Sequence, residues 1–335
     1  MERKERFAGP DIIRCFAISF VLLAHMLSYC ASFNEGLHTA KWTIYVTLHY
    51  VGITAVPLFL LLTGYLNSNK KLSKGYFKGI IPVLLSYVTI SVISILFDVF
   101  VHGEKIILWR EILSVLNFTA IDYAWYVEMY IGLFLLIPFL NMIKGALQDR
   151  KSWHILIAVL VFLTALPDVA GSFIVGGVKL NAFPDWWVNL YPVTFYFLGA
   201  YIKEFKPKVK KTGVVMAGAG ALAVNVALCA IFSQQEYAWW VMYGFSALPT
   251  MIFALSIFIL FYDVSTLPKI ISLPVKKVAV CSFEMYLFSY ITDKYLYAKL
   301  PFDGIVVIVI NFALCFVLAA TLRFLLKPII KRVKN

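Results

Sequence analysis

Apolar stretches of roughly twenty residues recur about ten times along this chain, and that recurrence leaves few architectures open. Each is close to the length a helix needs to cross the hydrocarbon core of a bilayer. In lipid, an open strand edge or a bare loop would leave backbone groups without partners. The stretches fall at approximately 11–33, 42–66, 79–101, 123–143, 153–170, 187–203, 212–233, 241–262, 278–298 and 303–326. With 61% hydrophobic and 14% charged residues, the chain is too apolar for an ordinary soluble domain, and the connections are too short to hold one. The expectation is an all-α polytopic membrane protein of about ten transmembrane helices, organised as a single membrane domain over residues 1–335.

The formal charge of +12 would by itself admit a nucleic-acid partner, but the placement of the charges argues against one. Twenty-three of the 30 basic residues lie in one set of connections: the N-terminal segment (Arg3, Lys4, Arg6), the stretches 70–78, 144–151, 203–211 and 269–277, and the end from Arg323 onward. Only six (Lys41, Lys105, Arg110, Lys179, Lys294 and Lys299) lie in the other set, and Arg14 completes the count. This is the positive-inside pattern, which places both termini in the cytoplasm and the chain in the cell (cytoplasmic) membrane. The partner of the basic loops is then the anionic face of the lipid bilayer, with no nucleic acid.

Smaller features follow from the same frame. The five cysteines fall in apolar spans without metal-ligand spacing, so neither a disulfide framework nor a metal site is expected. No small-residue cleavage site follows the first span, so a cleavable signal peptide is not expected. Residues 104–118 alternate apolar and charged positions at helical spacing and read as an amphipathic helix in the outer interface. Residues 171–187, rich in glycine and aromatics, read as an irregular lid or re-entrant piece. Trp42, Trp125, Trp186, Trp187, Trp239 and Trp240 sit near span ends and fit aromatic belts. Pro57, Pro82, Pro138, Pro192 and Pro249 are expected to kink their helices.

Few ionisable residues lie deep in the spans, where each is costly and therefore a candidate for use. Arg14 and His25 share the first span. Eleven residues of helix make about three turns, which places both on one face roughly 16 Å apart along the axis. Asp11, three residues before Arg14, is its natural ion-pair partner. By topology Arg14 lies at the cytoplasmic mouth and His25 beyond mid-membrane. Glu128, in a span that starts on the outer side, is expected at similar depth to His25, and a carboxylate beside an imidazole is a familiar acid–base pair. His49 has no such neighbour in sequence. Glu284 and Ser289 lie in the ninth stretch, and Lys70, Lys71, Lys74 and Lys78 form a basic rim on the cytoplasmic side.

The segment PDIIRCFAISFVLLAHM, with its arginine–ten residues–histidine spacing, resembles the first helix of the acyltransferase-3 family, integral-membrane proteins that O-acylate sugars and other acceptors. Four later segments are similar to the family in the same order: PLFLLLTGYL (57–66), AWYVEMYIGLFLLIPFL (124–140), FYFLGAYI (195–202) and SFEMYLFSY (282–290). The chain departs from the pattern in three places. Thr63 stands where the family commonly has serine, Ser289 where a histidine often follows, and Lys78 with Gly75 where paired arginines are frequent. With no hydrolase-like domain after the last helix, the resemblance is to a stand-alone, surface-polysaccharide type.

The resemblance implies transfer of an acyl group, most simply acetyl, from a cytoplasmic acyl-CoA (acetyl-CoA) to a hydroxyl of an extracytoplasmic glycan or glycolipid, without a metal. It implies His25 as catalytic base or covalent relay with Glu128 orienting it. Arg14, Asp11, Lys78 and Lys74 would hold the donor, and Trp125, Tyr126 and Ser289 would line the acceptor side. The residues alone also admit a proton-coupled transporter or flippase for a lipid-linked sugar, with His25 and Glu128 as a relay, and a membrane sensor that binds coenzyme A without turnover.

Overall fold

A computed structural model describes residues 7–175, 178–242, 244–299 and 305–334. Arg3, Lys4 and Arg6, residues 303–304 of the last apolar stretch and residues 176–177 of the expected lid lie outside the described residues. In chain order the helices are α1 (Gly9–Cys30), α2 (Ala40–Ile53), α3 (Ala55–Asn67), α4 (Lys74–Phe77), α5 (Ile81–His102), α6 (Leu108–Leu116) and α7 (Trp125–Ala146). There follow α8 (Arg150–Thr164), α9 (Leu166–Ala170), α10 (Tyr191–Phe205), α11 (Lys211–Phe232), α12 (Leu248–Phe261), α13 (Lys269–Lys299) and α14 (Ile305–Lys334). The lid region holds a two-residue antiparallel hairpin, β1 (Ile174–Val175) with β2 (Val178–Lys179), and a 3₁₀ turn at Asp185–Leu190.

Each of the ten apolar stretches is occupied by a helix or a pair of helices. Among the described residues, seven helical segments are long and apolar enough to cross a membrane: Gly9–Cys30, Ala40–Asn67, Lys74–His102, Asp122–Ala146, Arg150–Ala170, Lys211–Phe232 and Val306–Arg332. Helix α12 is apolar but shorter.

Proline acts differently from the sequence expectation. Pro82, Pro192 and Pro249 sit at the first or second position of α5, α10 and α12 and open those helices. There a missing N–H costs nothing, because the first turn has no intrahelical acceptor for it. This is why α12 starts at Leu248, several residues after the apolar stretch begins. Pro57 falls in the first turn of α3, just after a break at Thr54 whose hydroxyl donates to the Val51 carbonyl (2.5 Å). Of the five, only Pro138 lies inside its helix.

The chain divides into two compact units of interleaved sequence, Met1–Asn69 with Lys144–Ala279, and Lys70–Ile143 with Val280–Asn335. The first contains α1–α3, α8–α12 and the start of α13. Its tightest contact joins α3 to α10. A Cβ on Gly64 would overlap the Tyr196 carbonyl oxygen, and one on Gly199 would overlap that of Leu61. Helices that associate in lipid gain from such close backbone approach, because van der Waals contact replaces the missing hydrophobic drive. Helix α1 packs on α2, α3 and α12. Its N-terminal backbone is tied down by Ala8 N–H to Ser265 O (3.1 Å) and Gly9 N–H to Val264 O (2.9 Å).

At the other end of the first unit, Trp42, Val46 and Tyr50 of α2 pack with Cys229, Ala238 and Val241 in a closed core. Trp42 is therefore a core residue, only 2% exposed, and its indole N–H donates to the Phe33 carbonyl (2.9 Å), so it is no belt anchor. Cys30, at the end of α1, is exposed, unlike the buried Cys229, Cys281 and Cys315.

The second unit contains α4–α7, the rest of α13, and α14. Polar side chains cross-link it. Tyr87 of α5 donates to Val115 O at the end of α6 (2.8 Å), and its ring stacks on Phe118 at 5.1 Å. Helix α6 leaves Leu108, Trp109, Ile112 and Leu116 exposed, as an amphipathic interfacial helix does.

Candidate active site

The first unit carries the α1 residues. Asp11 is 3% exposed and accepts from the Arg14 guanidinium at 3.1 Å, the i,i+3 pair that the spacing predicts. A cavity of about 130 Å³ opens beside Asp11, lined also by Ala8, Leu267, Ser272, Val275 and Lys276. Cys15 donates to the Val275 carbonyl (3.4 Å), so the start of α13 is fastened to α1 next to this cavity. Lys276 thus joins Arg14 as a second cation at the same end of the unit. Sequence reasoning had counted it only as a loop charge.

His25 is half-buried near the level where α1 meets α2, at the close contact of Ala24 with Gly52. His49 of α2 lies about one turn before Gly52 along the same helix. It sits in an aromatic cluster with Phe33 (5.7 Å between ring centres), Tyr50 (5.5 Å) and Tyr237 (6.5 Å). Two of these partners, Phe33 and Tyr237, come from loops elsewhere in the chain, so the sequence next to His49 did not mark the cluster.

The second unit carries Lys74, Lys78, Trp125, Tyr126, Glu128 and Ser289, so Glu128 belongs to a different unit from His25. Lys74 and Lys78 are exposed and flank Tyr76, which donates to the Phe134 carbonyl (2.5 Å) and stacks on its ring at 4.4 Å. Tyr126, Tyr130 and Phe134 follow at i+4 spacing on α7, with ring centres 6.5 and 6.3 Å apart. Trp125 packs edge-on to Tyr126 at 5.9 Å. An aromatic ladder therefore runs along α7 from Trp125 to the lysine-bearing α4. Glu128 is exposed, whereas Ser289 is fully buried and its hydroxyl donates to the Tyr286 carbonyl one turn back (2.7 Å).

Two buried carboxylates of α13 gained their meaning only from the structure. Glu284, 3% exposed, accepts from Arg323 of α14 at 2.8 and 2.9 Å and from the Ser86 hydroxyl of α5 at 3.0 Å. Asp293, fully buried, accepts from the Tyr123 hydroxyl (2.9 Å) and the Asn311 amide (2.6 Å), and Tyr286 donates to the Tyr123 carbonyl. These bonds fix the start of α7, where Trp125, Tyr126 and Glu128 sit. Asp293 and Asn311, polar residues inside the apolar stretches 278–298 and 303–326, were the sequence signals for this network.

The family model described as an acyltransferase domain matches residues 7–325, nearly the whole chain. The chain belongs to the acyltransferase-3 family. Acyl transfer is the general chemistry of this acyltransferase-3 protein, and its helices are those of a multi-pass membrane protein. Comparisons with curated proteins and with solved structures gave no match.

The segments that carry the family resemblance have identifiable physical work in the acyltransferase-3 chain. Segments 57–66 and 195–202 hold Gly64 and Gly199, the two glycines of the α3–α10 contact. Segment 124–140 is the aromatic ladder. Segment 282–290 supplies Glu284 and Tyr286. Glu284 is buried but Arg323 is 40% exposed, so the cation left by Glu284→Ala is not stranded in the interior. Glu284→Ala should therefore lower stability by about 1–2 kcal/mol, through the lost pair and the Ser86 hydroxyl left without its acceptor. Glu284→Gln keeps an acceptor for Ser86 and should cost less. Thermal unfolding in detergent measures both, and equal losses would show that the acceptor for Ser86 contributes nothing and that the ion pair, lost in both variants, carries the effect.

Proposed function

We propose that the protein transfers an acyl group, acetyl in the simplest case, from cytoplasmic acyl-CoA to a hydroxyl of an extracytoplasmic glycan or glycolipid. The observation that carries this reading is the layout of α1. A guanidinium held by a buried carboxylate stands at one end beside a cavity, and an imidazole stands about three turns further along the same helix. Ten spans with both termini in the cytoplasm complete the reading and put the cationic end inside.

In this reading Arg14, oriented by Asp11, and the nearby Lys276 attract the phosphates of the donor nucleotide, as a charged fork and a point charge respectively. Lys74 and Lys78 add positive potential on the same side of the membrane. The donor's narrow pantetheine arm brings the thioester toward His25. Neutral His25 accepts the proton of the acceptor hydroxyl while that oxygen attacks the thioester carbonyl. The carbon–sulfur bond then breaks, and the coenzyme A thiolate leaves with the proton returned by the imidazolium. Covalent relay of the acyl group on the imidazole is the alternative use of the same residue. By the family resemblance, Glu128 is the proposed orienting carboxylate, and Trp125 and Tyr126 are the proposed acceptor contacts. Ser289, whose hydroxyl is engaged with the helix backbone, would act there only by shaping α13.

Membrane vesicles containing the protein, given acetyl-CoA labelled in the acetyl group, test the reading. Label should pass to a glycan fraction on the far side of the membrane. A glycan that crosses the membrane without gaining label would establish the transporter reading instead.

A further inference from the structure

Asp293 of α13 is a fully buried carboxylate inside an apolar stretch, and both of its oxygens are engaged. Oδ2 accepts from the Tyr123 hydroxyl and Oδ1 from the Asn311 amide of α14. Asn311 is itself held on both sides. Its amide also donates to the Tyr297 hydroxyl (3.2 Å), and its oxygen accepts from the Cys315 thiol (3.4 Å). Ionisable groups at membrane depth are costly and mark positions with a use. A carboxylate with fixed hydrogen bonds can do one thing that apolar packing does poorly: hold a single point of a neighbouring segment in a set direction.

That point is Tyr123. It lies in the 3₁₀ turn Asp122–Ala124, which runs directly into α7. Ile121, ahead of the turn, supplies no side-chain cap. The free N–H groups of a helix start are commonly met by such a cap, so this entry needs holding by other means. Residue 123 is fastened three ways: its hydroxyl to Asp293, its carbonyl to the Tyr286 hydroxyl, and its ring edge-on to Tyr290 at 5.8 Å. The residues that follow at once are Trp125 and Glu128, both exposed, and Tyr126, whose ring meets Tyr286 edge-on at 5.6 Å. Where exposed side chains on the first turn of a helix stand depends on the turn that precedes it. All of these residues belong to the second unit.

We propose that Asp293 is a positioning residue for acyl transfer: through Tyr123 it sets where Trp125, Tyr126 and Glu128 stand, and Asn311 holds Asp293 in place. The part in transfer rests on the acyl-transfer reading of those three residues, whereas the anchor itself does not. A misplacement of about 1 Å in a substrate-positioning group is enough to slow a reaction severalfold or more.

Three variants of the full-length protein in one detergent test it. Tyr123→Phe removes the phenol O–H and keeps the ring, and Asp293→Asn removes the charge at nearly constant size. Thr292→Val is the control, because the Thr292 hydroxyl bonds the Ser289 carbonyl (3.3 Å) and the Cys315 thiol (3.1 Å) and not Tyr123. Hydrogen exchange read by mass spectrometry should be faster across residues 121–128 in the first two variants and unchanged in the third. In the transfer assay the first two should lose about tenfold in kcat/KM for the acceptor, with the acetyl-CoA KM in place. The double variant should be no worse than Asp293→Asn, because both changes cut the same link. A brace that serves stability alone would lower the unfolding temperature and leave kcat and both KM values as they were, and that result overturns the proposal. Unchanged exchange at 121–128 also overturns it, as does an acceptor-side loss in Thr292→Val equal to that in Tyr123→Phe. If the wild type transfers no label to a glycan, the acyl-transfer reading falls, and the exchange comparison still decides whether Asp293 holds the α7 entry.

Discussion

The His25→Ala protein is expected to transfer acyl groups at least about a hundredfold more slowly than the wild type, at unchanged abundance in the membrane. A positioned general base contributes roughly 10²–10⁴ in rate, and the α1 layout leaves no second imidazole on that helix to take over. His49 lies on the neighbouring α2, enclosed by Phe33, Tyr50 and Tyr237. Arg14→Ala should behave differently. It removes a cation that binds the donor in ground state and transition state alike, so the acetyl-CoA KM should rise more than kcat falls. Steady-state kinetics with both substrates varied separates the two. Full activity of the His25→Ala protein would exclude the proposed role of His25, and a pure kcat effect at Arg14 would exclude phosphate docking there.

The largest stability loss is expected at Gly64. Even a single methyl group there would overlap the carbonyl oxygen of Tyr196, and backbone on a packed helix has nowhere to move. Gly64→Ala should therefore cost about 3 kcal/mol, at the upper end of overpacking losses, and Gly199→Ala a similar amount. Gly132 of α7 is the matched control, because a Cβ there meets nothing within 4 Å. Alanine at that exposed helical position should be neutral, or stabilising by up to about 1 kcal/mol through helix propensity. Thermal unfolding of the three variants in one detergent decides the matter. Equal behaviour of Gly64→Ala and Gly132→Ala would show that α3 and α10 do not depend on close approach.

Much of the framework was legible in the sequence because it depends on local properties. Hydropathy over about twenty residues is a property of one segment, and a helix or helix pair occupies each of the ten apolar stretches. The Asp11–Arg14 pair was readable because i,i+3 contacts lie within one helix. The proline reading failed for an equally local reason. Pro82, Pro192 and Pro249 open helices, and apolar residues before a helix start extend the hydropathy signal past its true boundary.

What the sequence by itself determined is a multi-helical chain with an arginine and a histidine at fixed spacing on α1, because helical period and hydropathy need no neighbours. What only the tertiary structure decided is the partner of each side chain. It joined Lys276 to the cavity beside Asp11, and it put Glu284 between Ser86 and Arg323. It set Gly64 against Tyr196 and left the Trp240 indole buried without an acceptor among the described residues. Those outcomes depend on how separate helices and loops are rotated and placed against one another, and no window of sequence contains both members of such a pair.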